Sequence, residues 1–273
     1  MGSDLIRILS DVHYADRGSR VRNLEQLRPL FAGASGLILN GDSLDTRPSK
    51  DPAHTRAKRS ELLDFFGAAG LPVTFLTGNH DPDLSPDHAV ELARGQVLVT
   101  HGDVLFDNIV PWSTEATLLR TKVIAALAAL PEGSSAVLEE RLAAFRAVAG
   151  SIPQRHQSEQ NPFKYVARLA GDTVWPPQRV LSIIRAWSQA PGRAAALARR
   201  HRPNAKFIVI GHTHRPGVWK TRAGVVVINT GSFCRPFGAL VADVAPGRVT
   251  VRRVEGKKGA FHLGRKVADF TLT

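Results

Sequence analysis

Short apolar runs that each end in polar residues are the feature that most constrains the fold of this chain. The runs are "LIRILSD", "GLILNGD", "VTFLTGNHD", "QVLVTHGD" and "KFIVIGHTH". Helix-like or loop stretches such as "VRNLEQLRPLFAGAS" and "AKRSELLDFFGAAG" separate the first four runs. Apolar strands that alternate with helical segments predict an α/β fold in which the sheet order is at least partly parallel.

The residue pattern of the sequence changes near residue 107 and again near residue 204, and these two changes predict the domain organisation. Residues 107–204 carry Ala, Leu and Arg at helical spacing, which predicts a helical insertion that forms a cap. Strand-like runs then resume, so residues 1–106 and 205–254 form one discontinuous core. "ALVADV" and "RVTVRRV" predict a β-ribbon across "APG". Residues 255–273 are basic and weakly patterned, and we predict a C-terminal tail there.

All five runs end in residues of types that can bind metals. In an open α/β sheet the carboxyl ends of the strands lie side by side, so these side chains are expected to converge. Each motif alone also fits an ordinary turn, but together they provide imidazole nitrogens with carboxylate and amide oxygens, the set that two divalent cations require. The predicted ligands are Asp11, His13, Asp42, Asn79, His101, His212 and His214.

The spacing within the motifs supports the same interpretation. In "DVH" and "HTH" the paired residues are two positions apart, so in extended chain both side chains project to the same side. A carboxylate has two oxygens and can bridge two ions. Asp42, on a middle strand end, is the natural bridge.

The ordered motifs "DVH", "GDSLD", "GNHD", "THGD" and "GHTH", followed by "INTGSF", resemble those of the calcineurin-like metallophosphoesterases. The resemblance covers roughly residues 5–106 and 205–245. It implies a layered β-sheet sandwich flanked by helices, with Asp11, His13, Asp42 and His214 on one metal. Asp42, Asn79, His101 and His212 would hold the second metal.

The resemblance also implies hydrolysis of a phosphomonoester, phosphodiester or pyrophosphate bond by a hydroxide that the metals activate. We place His80 and Asp81 in the catalytic step, with His80 beside the leaving group. Asp45, Asp81 and Asp103 stand where carboxylates could orient imidazoles, although turn or capping roles explain them equally well. The N/O ligand set accepts Mn, Fe, Zn or Co, and we expect Mn.

The substrate is less constrained than the reaction. A helical insertion after "THGD" is similar to that of the UDP-2,3-diacylglucosamine pyrophosphohydrolases of lipid A synthesis, one branch of the superfamily. That branch has "GNRD" where this chain has "GNHD", and a cysteine after "HGD" where this chain has "VLFDNIVPW". A lipid-linked substrate and another phosphate-containing small molecule both remain open. A nuclease and a non-catalytic scaffold are the remaining alternatives.

The charge and cysteine content of the chain limit the classes of partner and the compartment that we expect. The formal net charge of +12 favours anionic ligands. The basic residues are spread over the insertion and tail and form no obvious groove, which disfavours nucleic acid and leaves peripheral contact with an anionic membrane open. No signal peptide is evident and Cys234 is the single cysteine, so we expect a cytoplasmic protein, at most peripheral at the inner membrane surface. The sequence does not indicate an oligomeric state.

Overall fold

The structure is a computed structural model that describes residues 4–155, 159, 161–173 and 175–272. Two β-sheets form its centre. The first has the order β11-β10-β9-β1-β2-β3 and the second the order β4-β5-β6-β8-β7. The strands are β1 Ile6–Leu9, β2 Gly36–Asn40, β3 Val73–Leu76, β4 Ala89–Leu92, β5 Val97–Thr100, β6 Phe207–Ile210, β7 Gly217–Lys220, β8 Val226–Asn229, β9 Leu240–Ala245, β10 Arg248–Lys257 and β11 Ala260–Thr271.

Parallel pairing unites the strands that precede the candidate ligands. In the first sheet β1, β2 and β3 are parallel neighbours, and in the second β5, β6 and β8 are. The carboxyl ends of parallel neighbours lie at one edge of a sheet. The remaining neighbours, β9 to β11, β4 and β7, pair antiparallel. The mixed order agrees with the α/β prediction.

Both faces of the central strands are covered, which explains why β2, β5, β6 and β8 are almost wholly apolar rather than alternating with polar residues. Successive side chains point to opposite faces. Ile8 packs between the sheets with Val99 and Val209, whereas Leu9 packs outward against the helical side of the first sheet. In the second sheet Leu98 points outward toward helices. The molecule is therefore a sandwich of two sheets with helices on both outer faces.

The helices are α1 Pro52–Gly67, α2 Ala116–Ala128, α3 Leu138–Gly150, α4 Pro162–Thr173 and α5 Gln178–His201, with 3₁₀ helices at Leu24–Phe31, Asp103–Leu105 and Ser134–Ala136. The Asp51 side chain accepts a hydrogen bond from the His54 N–H, and Pro52 occupies the first turn, so α1 begins at a capped end. Residues of α1 and of the 3₁₀ helix Leu24–Phe31 cover the outer face of the first sheet.

Most of segment 107–204 is part of the sandwich. Leu119 of α2, Phe145 of α3 and Ala194 of α5 are buried against the outer face of the second sheet. The segment also connects β5 to its parallel neighbour β6, and a parallel pair needs such a crossover. The prediction of a cap over the site therefore differs from the structure for α2, α3 and α5. Helix α4 lies closer to the candidate site, because the Tyr165 hydroxyl donates to Asp16 Oδ1 over 2.6 Å.

The C-terminal residues are not a tail. Residues 260–271 form β11, which pairs with β10 at the edge of the first sheet. The pairing register shifts between Val251 and Arg252 and again between Arg252 and Val254. Each such irregularity interrupts the two-residue period, so the sequence there lacks a clear strand pattern.

Among the described residues, no helix is both long enough and apolar enough to span a lipid bilayer.

Candidate metal centre

Five of the predicted ligands have a left-handed backbone. Their φ angles are +51° at Asp11, +47° at His13, +52° at Asp42, +64° at His212 and +56° at His214. Residues other than glycine rarely adopt this conformation, and where they do, they concentrate at functional sites. The loops that follow β1, β2 and β6 thus hold a conformation that the surrounding structure imposes.

Hydrogen bonds between these loops supply that constraint. The Asp11 N–H donates to the Gly41 carbonyl at 3.0 Å, and the His13 N–H donates to the Asp42 carbonyl at 2.9 Å. The His212 N–H lies 3.2 Å from both carboxylate oxygens of Asp11. Main-chain hydrogen bonds therefore connect the ends of β1 and β2, and the Asp11 carboxylate connects the end of β6 to them.

The first group of potential ligands contains Asp11, His13 and His214, whose ligand atoms lie within 4.8 Å of one another. His214 Nε2 lies 3.2 Å from Asp11 Oδ1 and 3.1 Å from His13 Nε2. Burial lowers the pKa of His13 to about 4, so its ring nitrogen is neutral and has a lone pair to offer.

The second group contains Asp42, His101 and His212, again within 4.8 Å of one another. The Asn79 amide oxygen joins it, 2.8 Å from His212 Nδ1. Burial, followed by the charge of His101, lowers the pKa of His212 to about 4. The structure thus brings all seven predicted ligands together, three in the first group and four beside or within the second.

Asp42 lies between the two groups. Its Oδ2 is 3.2 Å from His101 Nε2 and 3.9 Å from His13 Nε2. Burial would lower the pKa of His101, but the charges of Asp42 and Asp11 outweigh it and raise that pKa to about 10. Two buried carboxylates therefore create a strong demand for positive charge at this point.

The imidazole hydrogen bonds fit this ligand set. His101 Nδ1 donates to the Asn40 carbonyl at 2.9 Å, so Nε2, which faces Asp42, is the nitrogen that could bind a cation once it has lost its proton. That Nε2 is buried and makes no hydrogen bond with the described residues. His212 Nε2 donates to the Ile109 carbonyl at 2.9 Å, so Nδ1 carries its lone pair. Fixing one ring nitrogen so that the other can bind is the usual arrangement of metal-binding histidines.

His80 stands at the edge of these groups. Its N–H donates to Asp42 Oδ1 at 2.8 Å, and its ring makes an edge contact with His13. Nδ1 donates to Asp45 Oδ2 at 2.8 Å, so it cannot also accept from Arg47, whose Nη2 is 3.0 Å away. Burial and Arg47 lower the pKa of His80, but the charges of Asp42 and Asp45 outweigh them and raise it.

Asp45 is the one predicted accessory carboxylate that contacts an imidazole. Asp81 is fully buried and accepts the backbone N–H groups of Gly78, Asp42 and Ser43 at 2.6, 2.9 and 2.7 Å. These three donors hold the carboxylate in place, and its assignment as a catalytic residue stays a prediction. Burial and the charge of Asp42 raise the pKa of Asp81 to about 6.

Asp103 forms a buried ion pair with Arg146 of α3, and Arg146 Nη2 lies 2.8 Å from Asp103 Oδ1. Arg146 Nε also donates to Thr77 Oγ1 at 2.7 Å. Asp103 therefore orients no histidine and instead connects segment 107–204 to the "THGD" loop.

Other residues that support the site went unnoticed in the sequence. Ser10 Oγ donates to Asp11 Oδ2 and lies 2.6 Å from Thr230 Oγ1. Asn229 Nδ2 donates to the Gly211 carbonyl at 2.7 Å. Both Asn229 and Thr230 belong to "INTGSF", which had been noted without assigned roles.

A glycine precedes the ligands in several motifs, and this signal could have been used. A side chain at Gly78 would overlap Asp42, and one at Gly211 would overlap Asp11 and Ser10. The glycines of "TGNH" and "IGHTH" therefore make room for a ligand from a neighbouring strand.

A cleft of about 260 Å³ opens beside His13 and Asp45. Residues 14–17 and 49–58 form two of its walls, and Gln154 and Glu159 of segment 107–204 form part of another. Gln154 holds this wall in place, since its Nε2 donates to the Asp45 carbonyl at 2.8 Å. Of the seven predicted ligands, His13 lines this cleft.

Comparisons with known proteins agree with this geometry. Residues 131–250 match the calcineurin-like phosphoesterase superfamily domain. The match includes "GHTH" and also residues 131–204, which the motif resemblance leaves out. UDP-2,3-diacylglucosamine hydrolases from Stenotrophomonas maltophilia strains K279a and R551-3 are each 25% identical over 232 residues, which is 79% of this chain and 84% of theirs.

Two solved structures are also similar. A dimetal phosphatase from Danio rerio aligns at a TM-score of 0.49 and 14% identity, over 100% of this chain and 99% of that one. Vacuolar protein sorting 29 from Cryptosporidium parvum aligns at 0.46 and 12%, over 100% of both chains. Residues 131–250 are thus similar to a calcineurin-like phosphoesterase superfamily domain, and most of the chain is similar to hydrolases; together with the two ligand groups, these similarities support a metal-dependent hydrolase.

Proposed function

We propose that Asp11, His13, Asp42 and His214 hold one divalent cation and that Asp42, Asn79, His101 and His212 hold the second. The observation that carries this assignment is the position of the Asp42 carboxylate, with Oδ2 3.2 Å from His101 Nε2 and 3.9 Å from His13 Nε2. A carboxylate in that position can bind two cations at once. The buried Nε2 of His101, which has no hydrogen bond with the described residues, supports the same assignment.

Two cations held there would lower the pKa of a water molecule and neutralise phosphoryl oxygens. The residues of the chain supply the geometry. Asp81 fixes the loop that carries Asp42 through the backbone N–H groups of Asp42 and Ser43, and the carbonyls of Asn40 and Ile109 fix the two imidazoles of the second group. Because these supports are buried, the ligands need little reorganisation when a substrate binds.

His80 donates a hydrogen bond or proton to the departing oxygen. Asp45 holds its Nδ1–H, so Nε2 is the atom that faces the leaving group. Arg47 makes a bidentate pair with Asp45 at 3.0 and 2.7 Å, which fixes the carboxylate that orients the ring. The proposal thus assigns His80 as the catalytic residue, with Asp45, Arg47 and Asp81 as positioning residues.

The metal that we infer is Mn²⁺, because the mixed imidazole and carboxylate set suits borderline cations; Fe, Zn and Co fit the same set. The substrate is a phosphate ester or pyrophosphate small enough to enter the cleft beside His13.

A pyrophosphate bond in a UDP-linked lipid is the second candidate. The hydrolases named for UDP-2,3-diacylglucosamine align over most of this chain. Large apolar side chains on and near α4 and α5 are also exposed, and acyl chains or a membrane surface could cover them. They are Phe163 at 85% exposure, Val166 at 63%, Trp175 at 71%, Leu181 at 53% and Ile184 at 52%. Such a substrate would bring the protein to the membrane surface.

Metal analysis combined with a substrate screen tests the proposal. The purified chain, loaded with Mn²⁺, should bind two metals and hydrolyse bis-p-nitrophenyl phosphate or p-nitrophenyl phosphate. Faster turnover of a UDP-linked diacyl sugar than of its deacylated form would select the second candidate. Two bound metals without hydrolysis of any of these substrates would contradict the catalytic proposal and favour a scaffold. Salt-dependent binding of DNA would favour a nuclease.

A further inference from the structure

A second cavity, of about 620 Å³, lies outside the metal-binding groups. Six of its lining residues are cationic, and none of the described residues that line it is acidic. The cationic residues are Arg17, Arg20, Arg22, Arg235, Lys257 and Lys258. We propose that this basic cavity is a binding site for a small molecule that carries two or more phosphate groups.

The cations come from segments far apart in the chain. Residues 17–22 follow the first ligand loop, Arg235 follows β8, and Lys257 and Lys258 lie at the turn between β10 and β11. In the described structure Arg20, Arg22, Arg235, Lys257 and Lys258 form no ion pair with a carboxylate. Like charges brought together without counterions repel one another, so the fold carries a cost that a bound anion would remove.

Contacts around the cavity position part of this charge. The Arg20 guanidinium lies 5.6 Å from the ring centroid of Phe261, and a side chain at Gly256 would come within 2.8 Å of Arg20 Nη2. The glycine in β10 therefore leaves the space that Arg20 fills. Gln26 Nε2 donates to the Gly259 carbonyl at 2.8 Å and ties the turn with Lys257 and Lys258 to the rest of the cavity.

The size of the cavity selects a small molecule over nucleic acid. Ligand sites for small molecules commonly measure about 300–1,000 Å³. Single-stranded nucleic acid is bound along a groove with exposed aromatic rings for stacking. Phe261 is buried, with Arg20 over its ring. Guanidinium and ammonium groups around one open cavity are suited to several phosphates on one molecule.

The cavity adjoins the cleft of the metal centre. Arg17 lines both, and the Tyr165 hydroxyl, at the wall of the basic cavity, donates to Asp16, which lines the cleft. A ligand in the basic cavity could therefore be the distal part of a substrate or a separate effector. The two sources share the same chemistry, and the experiment below separates them.

The test measures binding of fructose 1,6-bisphosphate to the full-length, Mn²⁺-loaded protein by calorimetry, with fructose 6-phosphate as the one-phosphate comparison. We expect the bisphosphate to bind at least about tenfold more tightly, because two phosphates can reach the fixed cations. The variant Arg20→Gln/Lys257→Gln/Lys258→Asn should raise the Kd for the bisphosphate about tenfold or more. Asparagine is chosen at 258 because Lys258 has a φ of +52°.

A matched control removes three exposed cations elsewhere. Arg56→Gln/Arg200→Gln/Arg222→Gln lowers the net charge by the same amount at positions that do not line the cavity. Its Kd for the bisphosphate should change less than threefold. The kcat/KM for p-nitrophenyl phosphate should be unchanged in both variants, which shows that the metal centre is intact.

The inhibition constant of fructose 1,6-bisphosphate, measured against hydrolysis of bis-p-nitrophenyl phosphate, distinguishes the distal part of a substrate from a separate effector. If it rises in the cavity variant together with the Kd, the cavity holds the distal phosphates of a substrate. If only the Kd rises, the cavity holds a separate effector. An unchanged Kd in the cavity variant, or an equal rise in the matched control, would overturn the proposal. The proposal would also be overturned if the cavity variant lost binding to phosphatidylglycerol vesicles while its Kd for the bisphosphate stayed unchanged. The cations would then bind a membrane surface.

Discussion

The strand-end loops and the helical segment 107–204 support the metal centre in different ways. In the loops, polar ligand residues have a left-handed backbone. Hydrogen bonds connect these loops to one another. The segment reaches the same loops through a few single contacts, from Ile109 to His212, from Arg146 to Asp103 and from Trp187 to Thr213. The difference teaches that the loops set the chemistry, whereas the segment mainly maintains the fold around them.

This comparison predicts two classes of variant. Changes in the loops should remove metal or turnover with little effect on the free energy of unfolding, since strained functional loops contribute little to stability. Changes at the contacts of the segment should lower the free energy of unfolding more than they lower turnover. A variant that behaved in the opposite way would break the comparison.

Asp42→Asn should have the largest effect. The substitution keeps an oxygen that can accept from the His80 N–H but removes the negative charge between the two ligand groups. We expect both metals to bind weakly and kcat/KM to fall about 10⁴-fold or more, because the Lewis-acid contribution amounts to several kcal/mol. Metal content by mass spectrometry and hydrolysis of bis-p-nitrophenyl phosphate measure this. Asp64→Asn, on the exposed face of α1, is the control and should keep both metals.

His80→Ala separates metal binding from proton donation. Two metals should remain, while kcat falls about 10²–10³-fold, the range of a lost general acid. The loss should be smaller for p-nitrophenyl esters than for substrates with a poor leaving group, because the former need less protonation. A variant that folds but contains no metal would make His80 a ligand and the assignment wrong.

Arg146→Met tests the contact between the segment and the core. The substitution leaves the Asp103 carboxylate buried and uncompensated, and we expect the free energy of unfolding to fall by about 3–5 kcal/mol. Urea denaturation measures the loss. Turnover per folded molecule should fall less than tenfold.

The double variant Arg146→Met/Asp103→Asn is the matched comparison, since it removes the stranded charge as well. It should recover a substantial part of the lost stability. If the single and double variants were equally unstable, the ion pair would not be the cause, and Arg146 would act through its contact with Thr77 or through packing.

The sequence predicted the strand-end chemistry well because the information there is local. Each motif joins an apolar run to its polar end, and the edge geometry of parallel strands brings those ends together. The α/β layers and the helical character of residues 107–204 followed from the same periodicities. The structure placed all seven predicted ligands in or beside the two groups.

The supports of the site were hidden for a different reason. Arg146 and Asp103 are 43 positions apart, and nothing in the sequence around either residue names the other as its partner. The three backbone donors of Asp81 lie in two different loops, and no local pattern around Asp81 indicates them. The predicted tail contains strand β11. The sequence pattern did not indicate this strand, because irregular pairing with β10 interrupts the two-residue period. Long-range pairing and packing decide such positions.

Trp187→Phe should have the smallest effect and sharpens the comparison most. Trp187 Nε1 donates to the Thr213 carbonyl at 2.9 Å, between His212 and His214, and its ring contacts Phe237. Phenylalanine keeps much of the aromatic contact but leaves the carbonyl without this donor. We expect a loss of about 1 kcal/mol in the free energy of unfolding, the usual value of one hydrogen bond. Metal content should stay at two, and kcat should change less than threefold. A larger fall in kcat than in stability would mean that α5 helps to set the "HTH" loop for catalysis, and the division between loops and segment would then fail at this contact.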